Sequence, residues 1–78
     1  MPKSLRSGRH KALMSVLRAT RTERGLTQRE LSAKLGRASN YITKVETGER
    51  RLDVIEFFEI ADSLGVDPVV LFTRVARW

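Results

Sequence analysis

The sequence predicts an all-α domain of five short helices, and three observations carry that prediction. Apolar residues recur at spacings of three and four instead of alternating, so the period is that of a helix and not of a strand. Two capping boxes, Thr27 with Glu30 and Asp53 with Glu56, mark helix starts, because each pair of side chains satisfies two backbone N–H groups that the helix leaves without partners. Glycines at 25, 36, 48 and 65 fall where the apolar stripes end, the place a left-handed residue commonly occupies. A chain of 78 residues holds one such domain and no second core.

Residues 1–8 are polar and basic, with Pro2 and Gly8 and no periodicity, and read as a mobile arm ahead of a folded domain over 9–78. The first helix is expected from about Arg9 to Arg24, with Leu13, Val16, Leu17 and Thr20 as its stripe and Gly25 as its stop. Thr27 caps the second, which runs to about Leu35 with Leu31 and Leu35 inward and ends at Gly36. The third starts near Ala38 or Ser39 and continues to Glu46 or Thr47, with Ile42 and Val45 inward and Gly48 closing it. A polar loop over 49–52 leads to the fourth, where Val54, Phe57, Ile60, Ala61 and Leu64 supply the buried stripe. Gly65 followed by Val66 predicts a Schellman ending. Asp67 caps the fifth helix, Pro68 opens it without loss because its missing N–H has no partner there, and Val70, Leu71, Phe72, Val75 and Trp78 are its apolar residues.

Fifteen Lys and Arg stand against nine Asp and Glu, a formal net charge of +6. The excess lies forward: residues 1–24 carry a net +6, residues 25–51 a net +3 and residues 52–78 a net −3. A basic front and an acidic back suit a polyanion such as DNA, RNA or an anionic membrane surface, or else simply keep a small protein in solution. The absence of Cys removes disulfides, thiol catalysis and Cys-based zinc sites, and the single His10 removes a His-rich metal site. No metal, cofactor or small-molecule ligand is therefore expected. No run approaches the roughly 20 apolar residues that span a bilayer, and the basic N-terminus has no apolar region of a signal peptide. Glu56, Glu59 and Asp62 form an acidic helical face with no nucleophile or phosphate loop beside it, and are assigned to solvation. An enzyme is not expected.

The informative stretch is 26–46, LTQRELSAKLGRASNYITKVE. Two helices of about eight residues are joined by a short turn at Gly36, the helix-turn-helix geometry, whose second helix fits the roughly 12 Å major groove of B-DNA. Ser32 and Ala33 are small enough to let the two helices approach, and Ile42 and Val45 lock the second onto its neighbours.

With these residues in place, the sequence resembles the phage repressor and Cro family of helix-turn-helix regulators. The anchors are Arg24-Gly25-Leu26-Thr27-Gln28-Arg29-Glu30-Leu31, Tyr41-Ile42, Val45-Glu46-Thr47-Gly48, Ile60-Ala61 and Leu64-Gly65-Val66, in register from about Leu13 to Phe72. It is also similar to the small controller proteins of restriction–modification systems, which are little more than this domain. Two positions depart from the family pattern. Ser32 stands where Ala is usual, and Ala38 where Ser or Thr often is, which shifts the cap of the third helix to Ser39 or leaves it missing.

The resemblance implies a double-stranded DNA partner and a role for each exposed residue. Ser39, Asn40, Thr43 and Lys44 are the expected base readers: Asn pairs with adenine, Lys donates to guanine, and the hydroxyls bond to several base edges. Gln28 matches the position that grips a phosphate at the start of the second helix, and Arg37, Arg50 and Arg51 would clamp phosphates on either side. Tyr41 either lays its ring along the DNA backbone or packs half-buried against the fourth helix. Arg21 and Glu46 match a family ion pair and are expected to be partly buried, orienting the third helix. Val70, Phe72, Val75 and Trp78 put more apolar surface on the last helix than one small core needs, which predicts a homodimer. The expected function is sequence-specific transcriptional regulation by a homodimer in the cytoplasm of a bacterium or phage-infected cell, at the nucleoid. An antitoxin-like interaction module with secondary DNA binding is the alternative, and RNA binding is disfavoured by the scarcity of exposed aromatics.

Overall fold

In the computed structural model of the chain, residues 8–78 are described and form α1 (Gly8–Glu23), α2 (Gln28–Lys34), α3 (Tyr41–Thr47), α4 (Val54–Leu64) and α5 (Pro68–Ala76). No strand occurs among the described residues. The expected arm lies outside them except for Gly8, which is the first residue of α1. Every helix places a stripe of one face inward: Val16 and Leu17 from α1, Leu31 from α2, Tyr41, Ile42 and Val45 from α3, Ile60, Ala61 and Leu64 from α4, and Leu71 from α5 meet in a single core. Each large apolar side chain removed from water in this way contributes about 1.5–3 kcal/mol. Around that core α2 packs on α3, α1 on both α3 and α5, and α4 on α5 and α2.

The helix ends follow from local chemistry. Thr27 Oγ1 accepts from the Glu30 N–H at 3.0 Å while Glu30 Oε1 accepts from the Thr27 N–H at 2.8 Å. Asp53 and Glu56 repeat the arrangement at 2.7 and 3.0 Å. Gly65 at φ +72° turns the chain left-handed, and the Val66 N–H reaches back to the Ala61 carbonyl at 3.0 Å, closing a Schellman ending. Asp67 Oδ1 accepts from the Val69 N–H at 2.8 Å, with Pro68 in the first turn of α5.

α3 starts later than the expected Ala38 or Ser39, and of the two expected outcomes for its cap, a shift to Ser39 or none, the second is found. The helix begins at Tyr41, and neither Ser39 nor Asn40 caps it: Ser39 sits in a turn closed by the Tyr41 N–H to the Ala38 carbonyl at 2.9 Å, and the Asn40 side chain makes no cap bond. The first N–H groups of a helix still need acceptors. One is supplied across the helix pair. Ser32 Oγ, on α2 and fully buried, accepts from the Ile42 N–H at 3.0 Å. The two departures from the family pattern thus fit together: Ala38 removes a local hydroxyl, and Ser32 provides one from the neighbouring helix.

Two further expectations are corrected. Ala33 is exposed, so Ser32 alone of that small pair lies in the buried contact. Val54 is 66% exposed and the inward stripe of α4 begins at Phe57, because the first residue of the helix lies at the mouth of an open apolar groove between α1, α4 and α5.

Candidate nucleic-acid interface

The buried residues Tyr41, Ile42 and Val45 fix α3 on the core, leaving Ser39, Asn40 and Lys44 in solvent. Ser39 and Asn40 stand in the turn before the helix, and Lys44 lies within it with no carboxylate partner among the described residues. Thr43 is half-buried, and its hydroxyl donates to Gln28 Oε1 at 2.9 Å. Three of the four expected base readers are therefore open to a ligand, while Thr43 is engaged within the protein.

Gln28 belongs to a network that ties α1, α2 and α3 together. Its Nε2 donates to Glu46 Oε1 at 2.8 Å. Arg21 donates to the same carboxylate twice, from Nε to Oε2 at 2.7 Å and from Nη2 to Oε1 at 3.1 Å, and its Nη1 donates to the Leu26 carbonyl at 2.8 Å. The Arg21 and Glu46 side chains are only 12% and 4% exposed, so each charge depends on the other for its solvation. The amide of Gln28 is oriented by this network, its oxygen toward Thr43 and its nitrogen toward Glu46, with one N–H left over for an outside acceptor.

A second arginine cluster lies on the α4 side of α3. The guanidinium carbons of Arg37 and Arg50 lie over the Tyr41 ring, 4.8 and 4.9 Å from its centroid. Arg50 grips Glu56 with two bonds, Nη1 to Oε1 at 3.0 Å and Nη2 to Oε2 at 2.7 Å. Arg37 Nη1 lies 3.7 Å from Glu56 Oε2, and its Nη2 donates to Glu59 Oε1 at 3.3 Å. The Arg50 hydrogen bonds, assisted by the Asp53 N–H, hold the Glu56 carboxyl down at about 2. Burial pushes the Tyr41 phenol up, and the Glu56 charge adds to this. The assignment of Glu56 and Glu59 to solvation is thereby corrected. A sequence signal existed, since the capping box fixes Glu56 over the loop that carries Arg50.

Arg51 is exposed and lines the apolar groove together with Arg9, His10, Leu13, Phe57 and Phe72. Burial, with the Arg51 charge second, pushes the His10 imidazole down from its ordinary value. The groove encloses about 660 Å³. Val70, Phe72 and Trp78 are exposed, whereas Val75 is half-buried against the protein's own core. Val54, Ile55 and Phe58 of α4 and Val69 of α5 join the exposed apolar set, which a single apolar stripe per helix does not predict. Among the described residues no group of side chains could hold a metal ion, and no helix is long and apolar enough to cross a membrane.

Two short helices packed around a glycine turn, the second with an open polar edge, form a helix-turn-helix, an arrangement used by DNA-binding transcription regulators. The chain belongs to the helix-turn-helix family, whose model matches residues 17–71. Over 53 residues it is 43% identical to an uncharacterized HTH-type transcriptional regulator, y4dJ, of Sinorhizobium fredii (strain NBRC 101917 / NGR234), spanning 68% of this chain and 69% of that protein. An XRE-family-like protein from Pseudomonas syringae pv. tomato str. DC3000 superposes with a TM-score of 0.82 at 42% identity, over 88% of this chain and 84% of the other. The wild-type restriction–modification controller protein C.Esp1396I superposes with a TM-score of 0.82 at 28% identity, over 91% of each chain.

Proposed function

We propose that this protein is a sequence-specific double-stranded DNA-binding regulator of transcription that occupies a two-fold-related operator as a homodimer. The observation that carries the reading is the open edge formed by Ser39, Asn40 and Lys44 on a helix whose Tyr41, Ile42 and Val45 are locked in the core. In the major groove Asn40 and Lys44 read base edges, with Ser39 in support. Gln28, Arg37 and Arg50 engage phosphates on either side, and Tyr41 holds the two arginines from beneath. The exposed Ile55, Phe58, Val69, Val70, Phe72 and Trp78 of α4, α5 and the C-terminus suit a second copy. Two copies about a two-fold axis would set their α3 helices about 34 Å apart, one turn of DNA.

Selection of bound sites from random duplexes, followed by footprinting, tests both parts. The expected product is a pseudo-palindrome protected over two half-sites one turn apart, and recovery of no common sequence contradicts the reading. Sedimentation of Phe72→Glu checks the assembly. The wild type sediments as a dimer and the variant as a folded monomer, whereas an unchanged mass removes α5 from the interface.

A further inference from the structure

Non-specific affinity for DNA grows with the number of cations free to displace counterions from phosphates, and base contacts add the sequence preference on top. Arg37 and Arg50 bracket the base-reading segment, the first just before Ser39 and the second just after α3. Neither is free. Glu56 is only 13% exposed, and both of its oxygens are occupied: Oε1 accepts from Arg50 and from the Asp53 N–H, and Oε2 accepts from Arg50 and faces Arg37. Glu59 takes the other amino group of Arg37. Two guanidiniums thus meet two carboxylates, and the local charge is zero. A phosphate that drew Arg50 away would part the Glu56 carboxylate from its bidentate partner, and the Glu56 charge opposes that exchange.

We propose that Glu56 tunes the protein's affinity for the DNA backbone: by holding Arg50 and Arg37 in ion pairs over Tyr41, it lowers affinity for DNA of any sequence. The proposal rests on the DNA-binding reading above. Both kinds of duplex meet fewer available cations, and one that fits Asn40 and Lys44 has base contacts to offset that loss.

Glu56→Gln tests this cleanly, because glutamine can keep the capping bond to the Asp53 N–H while the negative charge is removed. The probe is a fluorescent random-sequence duplex, titrated across a range of salt concentrations. Glu56→Gln is expected to bind it roughly threefold to tenfold tighter than wild type at low salt, with a log–log salt slope steeper by about one for each arginine released. Glu59→Gln, which touches only Arg37 and takes no part in a cap, is expected to gain less. Equal or weaker binding by a folded Glu56→Gln overturns the proposal, since Glu56 would then be presenting the arginines to phosphate. Should that variant not fold, Glu59→Gln decides: tighter binding supports the proposal and unchanged binding overturns it. A wild-type chain with no salt-dependent DNA binding at all defeats the DNA-binding reading itself, and that result is distinct from wild type and variants binding alike.

Discussion

Two arginine–glutamate assemblies flank α3, and they differ chiefly in how much water reaches them. Arg21 and Glu46, on the α1–α2 side, are almost wholly enclosed, and their remaining hydrogen bonds go to Gln28 and the Leu26 carbonyl. Arg50 and Glu56, on the α4 side, have equally good geometry at 2.7 Å, yet the arginine is 37% exposed. The same pair of functional groups therefore does different work. An enclosed pair cannot let go of its partner without stranding a charge, so it fixes the orientation of α3. A half-exposed arginine can exchange a carboxylate for a phosphate, so its pairing regulates how readily it meets DNA. Burial, and not pairing chemistry, separates a structural arginine from a ligand-facing one.

The largest expected effect lies on the enclosed side. Glu46→Ala should cost about 3–5 kcal/mol of stability in a urea melt, because Arg21 stays buried with no counter-charge. Replacing both partners with apolar residues of similar size should recover most of that loss, and a single variant as stable as wild type breaks the distinction.

Next comes the hydroxyl that caps α3 from α2. Ser32→Ala should lower stability by about 1–3 kcal/mol, the cost of leaving the buried Ile42 N–H without an acceptor. On the open edge, Lys44→Ala should weaken binding to a selected site by about 1–3 kcal/mol and relax preference at one base position, with the melting temperature unchanged. Equal discrimination by that variant in a competition assay would remove Lys44 from the reading surface.

The smallest effect concerns the half-exposed pair. Arg50→Ala should change stability by no more than about 1 kcal/mol, since solvent already screens much of the interaction. Its pH dependence has a defined sign. The folded Glu56 carboxyl sits at about 2 against an ordinary value of 4.5, so its contribution is complete above 4.5 and disappears as pH falls toward 2. The gap in melting temperature between wild type and Glu56→Gln should close over that interval, and a gap that persists at the acid end contradicts the pairing.

The sequence makes the helices legible because the signals that place them are local. Thr27 and Asp53 cap where their side chains can reach a backbone three residues on, and Gly65 ends α4 where Val66 can fold back. What escapes is non-local. The bond from Ser32 to Ile42 crosses ten positions, and the engagement of Thr43 by Gln28 crosses fifteen. No periodicity registers such contacts. Val54 misled for a different reason: its spacing fits the α4 stripe, but at the first turn of the helix the core no longer extends beneath it. Exposure is readable where residue type and helical position suffice, as with Asn40 and Lys44. Availability is unreadable where a competing partner decides it, as Glu56 and Glu59 do for Arg50 and Arg37.

The most direct test of the account is the ratio of dissociation constants for a selected duplex and a scrambled one of equal length, measured at the same near-physiological salt. A protein whose Ser39, Asn40 and Lys44 read base edges should prefer the selected duplex by about a thousandfold or more. A ratio near one, with both duplexes bound, would mean that α3 meets only the phosphate backbone and that the open edge reads nothing.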